Sequence, residues 1–419
     1  MKNRWIKRRI EELSRSNVAR ILVLTGARQT GKTTLIKQIL PDWRYISLED
    51  PLVRPSFSAL TALDWITRYP RAILDEVQKV PALIESIKAS NDLDDHVRYV
   101  LLGSSQILLL SKVKESLAGR VIIQELYPLT LPEVATSSWD DSFRESRFLQ
   151  WLRAPEHSIA ILDGVPATAA SFARCKLLFE TYLQFGGMPS ITNPDFTDEE
   201  KKLWLRNYQQ TYLQRDLADL AQVRDLEPFV LAQKHMALRS GKLVNFSDLA
   251  RNAQIAPQTA KRFVRYLELS YQVISIPPYF RNIEKRLSKS HKLYFLDPGV
   301  WRGTLDRWDS AGGEEFESAV VCEIWKQIKN AELPISFYHL RTFDGREVDL
   351  LLETAAGFVG IEVKQAGHVS AVDARHFTDV EQFLDKPFLM GFIVSNDLEI
   401  KRFGEKILAL PAPWLLGTN

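Results

Sequence analysis

Short apolar runs separated by amphipathic stretches dominate the first third of the chain. Residues 19–25 (ARILVLT), 44–48 (RYISL), 72–76 (AILDE), 98–102 (RYVLL) and 121–125 (VIIQE) carry consecutive aliphatic residues with little alternation. Such runs fit strands buried on both faces, and helical stretches between them make the sheet parallel. TTLIKQIL after the first run has a helical period, as has the basic opening MKNRWIKRRIEELSRS. From about Leu131 to Pro228 the pattern is helical and rich in aromatics. One helix, ASFARCKLLFETYLQFGGMPS, stops at Gly-Gly-Met-Pro, and Trp204, Tyr208 and Tyr212 recur at the spacing of a core-facing stripe.

Residues 229–277 change pattern again. LAQKHMALRSG is helical, FSDLARNA begins a second helix after Asn245, QIAPQ is a short connection, and TAKRFVRYLELSYQVISI reads as a helix running into a strand. That order is the order of a winged helix-turn-helix. Beyond Tyr294, the helix EEFESAVVCEIWKQI and the strands ISFYHLR, EVDLLLE, FVGIEVKQ and PFLMGFIVS predict a separate α/β domain. The expected division is 1–136, a parallel-sheet domain; 137–228, helical; 229–293, winged helix; and 294–419, α/β.

Composition narrows the function. Hydrophobic residues make up 45% and charged residues 25%, which excludes a wholly disordered chain. Lys and Arg number 54 against 52 Asp and Glu, a net charge of +2, so the chain is no polycation and any basic patch is local. Two cysteines, Cys175 and Cys322, and seven scattered histidines exclude a disulfide scaffold and leave no zinc-ligand spacing. No apolar run reaches membrane-spanning length and the basic N-terminus lacks the apolar core of a secretory signal, so a cytoplasmic protein without membrane partners is expected.

The chemistry concentrates after the first strand. Gly26-Ala27-Arg28-Gln29-Thr30-Gly31-Lys32-Thr33 fits the phosphate-loop pattern G-x-x-x-x-G-K-[ST], with Thr34 continuing the helix. Glycines let the backbone curl so that its N–H groups face phosphate oxygens, and the helix N-terminus adds partial positive charge. Lys32 brings an ammonium to the terminal phosphates, and the Thr33 hydroxyl is placed for Mg²⁺. The strand AILDE supplies the second half: Asp75 for Mg²⁺ and Glu76 as general base toward the attacking water. Ser104 ends the next strand, either beside the terminal phosphate or in a serine-rich turn. Arg120 is either an arginine finger, which requires assembly of copies, or a surface residue.

GARQTGKTT, ILDEVQKVP, LLGSS and ESLAGR, followed by YLQFGGMPS, TYLQRDL, KRLSKSHKLYFLDPG and EVDLLLE…GIEVK, resemble a prokaryotic family of AAA-like P-loop ATPases over nearly the whole chain. The resemblance implies an AAA-type core that uses ATP and Mg²⁺, a helical and winged-helix middle, and a C-terminal fold like that of restriction endonucleases.

In that last part, Asp349 begins one strand, and Glu362 and Lys364 end the next on a common face. Asp followed by Glu-x-Lys is the arrangement of PD-(D/E)xK nucleases, in which two carboxylates hold Mg²⁺ and the lysine orients water. Glu317 on the preceding helix is a further candidate ligand. An active site and an inert remnant both fit the pattern. Lys261, Arg262 and Arg265 on the expected recognition helix, with Lys285 and Arg286 in the wing, make DNA the expected partner; a solvated face is the alternative. The resulting expectation is a DNA-directed ATPase. A nucleotide-gated DNA-binding regulator with slow turnover and an ATP-licensed metal-dependent endonuclease are its alternatives.

Overall fold

Five strands, β1 (Ile21–Gly26), β2 (Arg44–Ser47), β3 (Arg71–Asp75), β4 (Arg98–Leu102) and β5 (Val121–Leu126), form a parallel sheet in the order β2-β3-β4-β1-β5. The computed structural model describes residues 1–18, 20–103, 117, 119–153, 159–162, 170–221, 226–342 and 345–418. Strand period two sends Ile21 and Val23 into one core with Trp65, Leu74, Ile84 and Leu101. Leu22 and Leu24 enter another with Ile10, Leu35, Ile73 and Val100. Ile10 lies on the opening amphipathic helix, Lys7–Arg15, which packs beside the helix Lys32–Ile39. Burial on both faces is why these strands read as continuous apolar runs. The strand order brings the ends of β1 and β3 to the same edge of the sheet.

The middle of the chain is helical: Arg147–Arg153, Ala170–Phe185, Asp198–Ala221 and Glu227–Ala237. Helices Phe246–Asn252 and Pro257–Leu269 follow. The Asn245 side chain caps the first of them by accepting from the backbone N–H groups of Ser247 and Asp248 at 3.0 and 3.1 Å. Proline opens the second at its first position, where no N–H is needed. Strands β6 (Lys242–Leu243), β7 (Val273–Ile276) and β8 (Lys292–Phe295) form a small antiparallel sheet, ordered β6-β8-β7. Phe229, Leu249, Phe263, Leu267, Val273 and Phe295 form the core between these helices and this sheet.

The C-terminal sheet is mixed. Strands β9 (Ser336–Arg341), β10 (Glu347–Glu353), β11 (Phe358–Lys364), β12 (Phe388–Ser395), β13 (Lys401–Arg402) and β14 (Ile407–Pro411) are ordered β13-β14-β12-β11-β10-β9. The helix Gly313–Asn330 and the short helix Ala412–Leu416 cover one face. Phe148, Trp151, Phe172 and Phe179 from the middle of the chain enter the same core as Phe316, Phe392 and Trp414. The early helices and the last sheet therefore fold around one apolar interior. The Arg147 guanidinium lies 3.3 Å from the Trp414 ring centroid.

Two motifs far apart in sequence interlock at the junction. Asp297 accepts from Gly187 N at 2.7 Å and from Val300 N at 3.0 Å. A Cβ on Gly186 would lie 2.0 Å from Asp297 Oδ1, and one on Gly299 would lie 2.0 Å from Phe185 O. Glycine stands in the Gly-Gly and Asp-Pro-Gly turns because the Asp297 carboxylate at Gly186 and the Phe185 carbonyl at Gly299 leave no room for a Cβ. Beside them, fully buried Lys326 donates to Leu129 O at 3.1 Å and to Tyr182 Oη at 2.6 Å, and its ammonium lies 3.1 Å from Glu323 Oε2. Glu323 Oε1 accepts from Leu131 N at 2.7 Å. This ion pair ties the end of the parallel-sheet domain to the middle helices and the C-terminal domain. Lys326→Ala leaves a carboxylate buried without its cation and is expected to cost about 3–5 kcal/mol in urea unfolding. The exposed neighbour Lys329→Ala is expected to cost less than about 1 kcal/mol.

Candidate functional site

The loop between β1 and the helix Lys32–Ile39 is curled by three residues with positive φ, Gly26 (150°), Gln29 (60°) and Gly31 (89°). At Gly26 the neighbouring strand leaves no room, since a Cβ would fall 2.2 Å from Leu126 O. The Thr30 hydroxyl donates to Ala27 O at 2.8 Å and pins the turn. The buried Lys32 ammonium lies in the curl and donates to Gly26 O at 2.9 Å and Ala27 O at 2.8 Å. Thr33 Oγ1 donates to Asp75 Oδ2 at 2.7 Å, so the loop and the acidic strand β3 meet directly.

Tyr45 on β2 donates to the same Asp75 oxygen at 2.9 Å. Burial, and then the adjoining Asp75 carboxylate, push its phenol up to about 12, so it stays a donor. Glu76 adopts the left-handed conformation, φ 57° and ψ 40°, which re-aims its side chain beyond the strand end. The Gln78 amide donates to Glu76 Oε2.

Other parts of the chain reach the loop. Buried Arg4 pairs with Glu133 at 3.2 Å and donates to Tyr127 O at 2.6 Å and Thr30 O at 3.4 Å. Tyr208 donates to Arg28 O at 3.3 Å, and its ring stacks on Trp204 with centroids 5.3 Å apart, as the aromatic stripe predicts. Tyr271 bonds to Thr25 at the end of β1 and donates to Glu125 Oε1 at 2.8 Å, while Tyr127 bonds the other Glu125 oxygen. A cleft of about 500 Å³ adjoins Gly31 and Thr34, lined by Arg4, Leu126, Pro189, Thr192 and Asn193 among others. Arg4, Tyr45, Tyr208 and Tyr271 carry no local motif. Only the basic start and the aromatic spacing hinted at two of them.

The remaining expectations divide. Ser104 lies outside the described residues, as do the side chains of Tyr212, Arg215 and Asp216. Arg120 is half-buried and grips Asp92 of its own chain at 2.7 and 3.1 Å. Lys261, Arg262, Arg265 and Lys285 are exposed, and Arg265 pairs with Glu268 at 3.1 Å. Arg286 corrects the sequence expectation. Its guanidinium donates to Phe280 O and to Tyr338 Oη (3.0 Å), lies 3.6 Å from Glu353 and 3.8 Å from Asp385, and covers the rings of Tyr279 and Tyr338. It braces β9 and β10 and is not a free phosphate contact.

The antiparallel β10–β11 register brings Asp349 beside Glu362, with Asp349 Oδ2 accepting from Val363 N at 2.9 Å. Lys364 pairs with Glu362 at 2.7 Å. Burial, and then Asp349, push Glu362 up to about 8 and Glu317 up to about 7. The sequence-predicted carboxylates thus come together, and a cation of the chain itself stands among them. Lys292 of β8 places its ammonium 3.2 Å from Asp349, 3.4 Å from Glu317 and 2.7 Å from Glu347. Among the described residues, no group of three or more His, Cys, Asp and Glu is arranged to hold a metal.

Residues 18–135 match the family model of an AAA domain. Residues 176–310 match a domain of unknown function (DUF8612), and residues 312–415 match a second (DUF4143). An uncharacterised protein of Mycobacterium tuberculosis is 28% identical over 365 residues, 83% of this chain and 70% of its own length. One from Methanocaldococcus jannaschii is 24% identical over 352 residues, 80% of this chain and 72% of the relative. Among solved structures, a Walker-type ATPase of Pyrococcus abyssi aligns at 14% identity and a TM-score of 0.42, covering 71% of this chain and 94% of that one. The chain thus carries an AAA P-loop domain, which implies binding and hydrolysis of ATP with Mg²⁺, followed by two domains of unknown function. Among the described residues, no helix is long and apolar enough to cross a membrane.

The close approach at Gly26 gives a direct test. Gly26→Ala forces Leu126 and the loop apart and is expected to cost about 1–3 kcal/mol in thermal or urea unfolding. Gly312→Ala, where a Cβ meets nothing within 4 Å, is expected to change stability by less than about 0.5 kcal/mol.

Proposed function

We propose that this chain binds ATP with Mg²⁺ at the carboxyl edge of the parallel sheet, hydrolyses it, and acts on DNA through the helix Pro257–Leu269. The observation that carries the nucleotide reading is the 2.7 Å bond from Thr33 to Asp75, which closes the phosphate loop onto the acidic strand. The hydroxyl and the carboxylate form one oxygen donor set, which fits a hard cation; Thr33 and Asp75 hold Mg²⁺ there. When bound, Mg²⁺ neutralises charge on the triphosphate.

The backbone N–H groups of residues 27–33 orient the phosphates. Lys32 exchanges carbonyl partners for phosphate oxygens. Glu76 accepts the proton of the attacking water after its carboxylate leaves Gln78. The cleft beside Thr34, with Leu126 and Pro189 on its walls and Asn193 at its rim, takes the adenosine. The Gln78–Glu76 bond favours a second reading, a nucleotide-gated regulator that turns over slowly.

The DNA reading rests on one helix with two faces. Ala260, Phe263, Val264 and Leu267 are buried, while Lys261, Arg262 and Arg265 face solvent. A preceding short helix and a three-stranded antiparallel sheet accompany it in winged-helix order. Lys285 lies between β7 and β8, where a wing contacts phosphate.

Steady-state hydrolysis tests the first part. Lys32→Ala is expected to lose turnover with binding, and Glu76→Gln to lose turnover by about 100-fold or more while retaining nucleotide. Wild-type rates from Glu76→Gln remove the general-base assignment. Gln78→Ala separates the two readings: faster basal turnover identifies a braked regulator, and an unchanged rate that rises with DNA identifies a DNA-directed ATPase. Salt titration tests the second part. Replacing Lys261, Arg262 and Arg265 with Ala should flatten the dependence of log K on log salt by about 0.9 for each phosphate that is no longer neutralised. Equal duplex affinity of wild type and triple variant at low salt removes the DNA assignment.

A further inference from the structure

Four carboxylates converge between β10, β11 and the helix Gly313–Asn330, and the cation among them belongs to another unit. Lys292 sits on β8, the central strand of the small sheet, paired on one side with Leu243 of β6 and on the other with Ile276 of β7. Its side chain crosses into the C-terminal domain and is only 5% exposed. There the ammonium meets Glu347 at 2.7 Å, Asp349 at 3.2 Å and Glu317 at 3.4 Å. Tyr294, two residues along β8, donates to Glu317 Oε1 at 2.8 Å. His376 Nδ1 contacts Glu347 O at 2.7 Å, and its other ring nitrogen lies 3.6 Å from Glu362 Oε1.

At Asp349 an ammonium stands where a metal would. One of its oxygens faces Lys292 and the other accepts from Val363 N. Glu362 Oε1 is held by Lys364, while its buried Oε2 has no hydrogen-bond partner. Two anionic ligands sharing a divalent ion require open lone pairs directed at one point. Here Asp349, Glu317 and Glu347 converge on a fixed ammonium, and Glu362 is turned to Lys364. A lysine ammonium in a carboxylate cage supplies one of the two positive charges that a divalent metal would, without exchange with solvent.

We infer that Lys292 is a resident cation that closes the nuclease-like carboxylate cluster to divalent metal and converts it into a charged joint between the β6–β8 sheet and the C-terminal sheet. The cluster then holds the two units in register. It does not cut phosphodiester bonds.

Mn²⁺ titration of the nucleotide-free full chain, by calorimetry and paramagnetic resonance, tests this independently of ATP turnover. Wild type and Asp349→Asn are expected to give the same isotherm, because the cluster contributes no site. Lys292→Ala should gain a Mn²⁺ site that the double variant Lys292→Ala/Asp349→Asn lacks. Mn²⁺ at about 100 times the Kd of that site should raise the Tm of Lys292→Ala by several degrees and leave the wild-type Tm unchanged. A wild-type Mn²⁺ site that Asp349→Asn removes overturns the inference, as does a folded Lys292→Ala without an Asp349-dependent site. If Lys292→Ala does not fold, the comparison of wild type with Asp349→Asn decides alone. Plasmid nicking by wild type that Asp349→Asn abolishes contradicts the closed cluster as well.

Discussion

A buried ammonium must face negative charge or good acceptors, and Lys32 is buried in the curl of the phosphate loop. Its hydrogen bonds to the carbonyls of Gly26 and Ala27 hold the loop in its curl. Neutral carbonyls partly compensate the missing hydration of a cation; phosphate oxygens compensate it more fully. The surrounding architecture fixes this bend in place. The parallel sheet sets the origin of the loop, Gly26 allows the backbone to pass Leu126, and Asp75 meets Thr33 from the acidic strand β3, one strand beyond β4.

The loop is also the meeting point of otherwise distant segments. Arg4 reaches it from the N-terminus, Tyr208 from the long middle helix, and Tyr271 touches the base of β1 from the turn before β7. Burial drives the Tyr271 phenol pKa up, and Glu125 adds to the shift, so Tyr271 remains a donor in this network. Tyr208 gives the middle helices a direct contact with the loop, and Tyr271 joins the unit that carries the basic helix to the strand at the loop's base. A ligand that changes the loop's partners therefore changes contacts made by those units, which is the physical requirement for coupling. The Lys326–Glu323 pair and the interlocked glycine turns limit how the same units can move against each other.

Much of the first domain was legible because its signals are local. Strands buried on both faces leave apolar runs and the phosphate loop needs glycines at fixed offsets; in the winged-helix segment, the helical period after Asn245 marks a helix start in the same local way. The register that sets Asp349 beside Glu362 was legible too, since one short turn joins β10 to β11. The ammonium among these carboxylates was not legible, for a long-range reason. Lys292 is far from Asp349 in sequence, and a basic residue near a wing resembles a DNA contact until the fold shows its three carboxylates. Arg286 misled in the same way, because its partners on β9 and β10 and at Asp385 come together only in the folded chain. Tyr45 and Tyr271 sit in ordinary apolar segments, where nothing in the sequence separates a core tyrosine from one that bonds a functional carboxylate or strand end. The short strands β6 and β13 have two residues each and offer no periodicity to detect.

The central claim concerns the cradle itself, and calorimetric titration of the full chain with ADP and a slowly hydrolysed ATP analogue, each with Mg²⁺, reaches it most directly. The account predicts saturable binding with one nucleotide per chain in the wild type, and at least about tenfold weaker binding when Lys32 is replaced by Ala, as expected from loss of about 1.4 kcal/mol or more. No heat and no protection of the wild type against thermal unfolding by either nucleotide would contradict it. Equal affinity of wild type and Lys32→Ala would contradict it too.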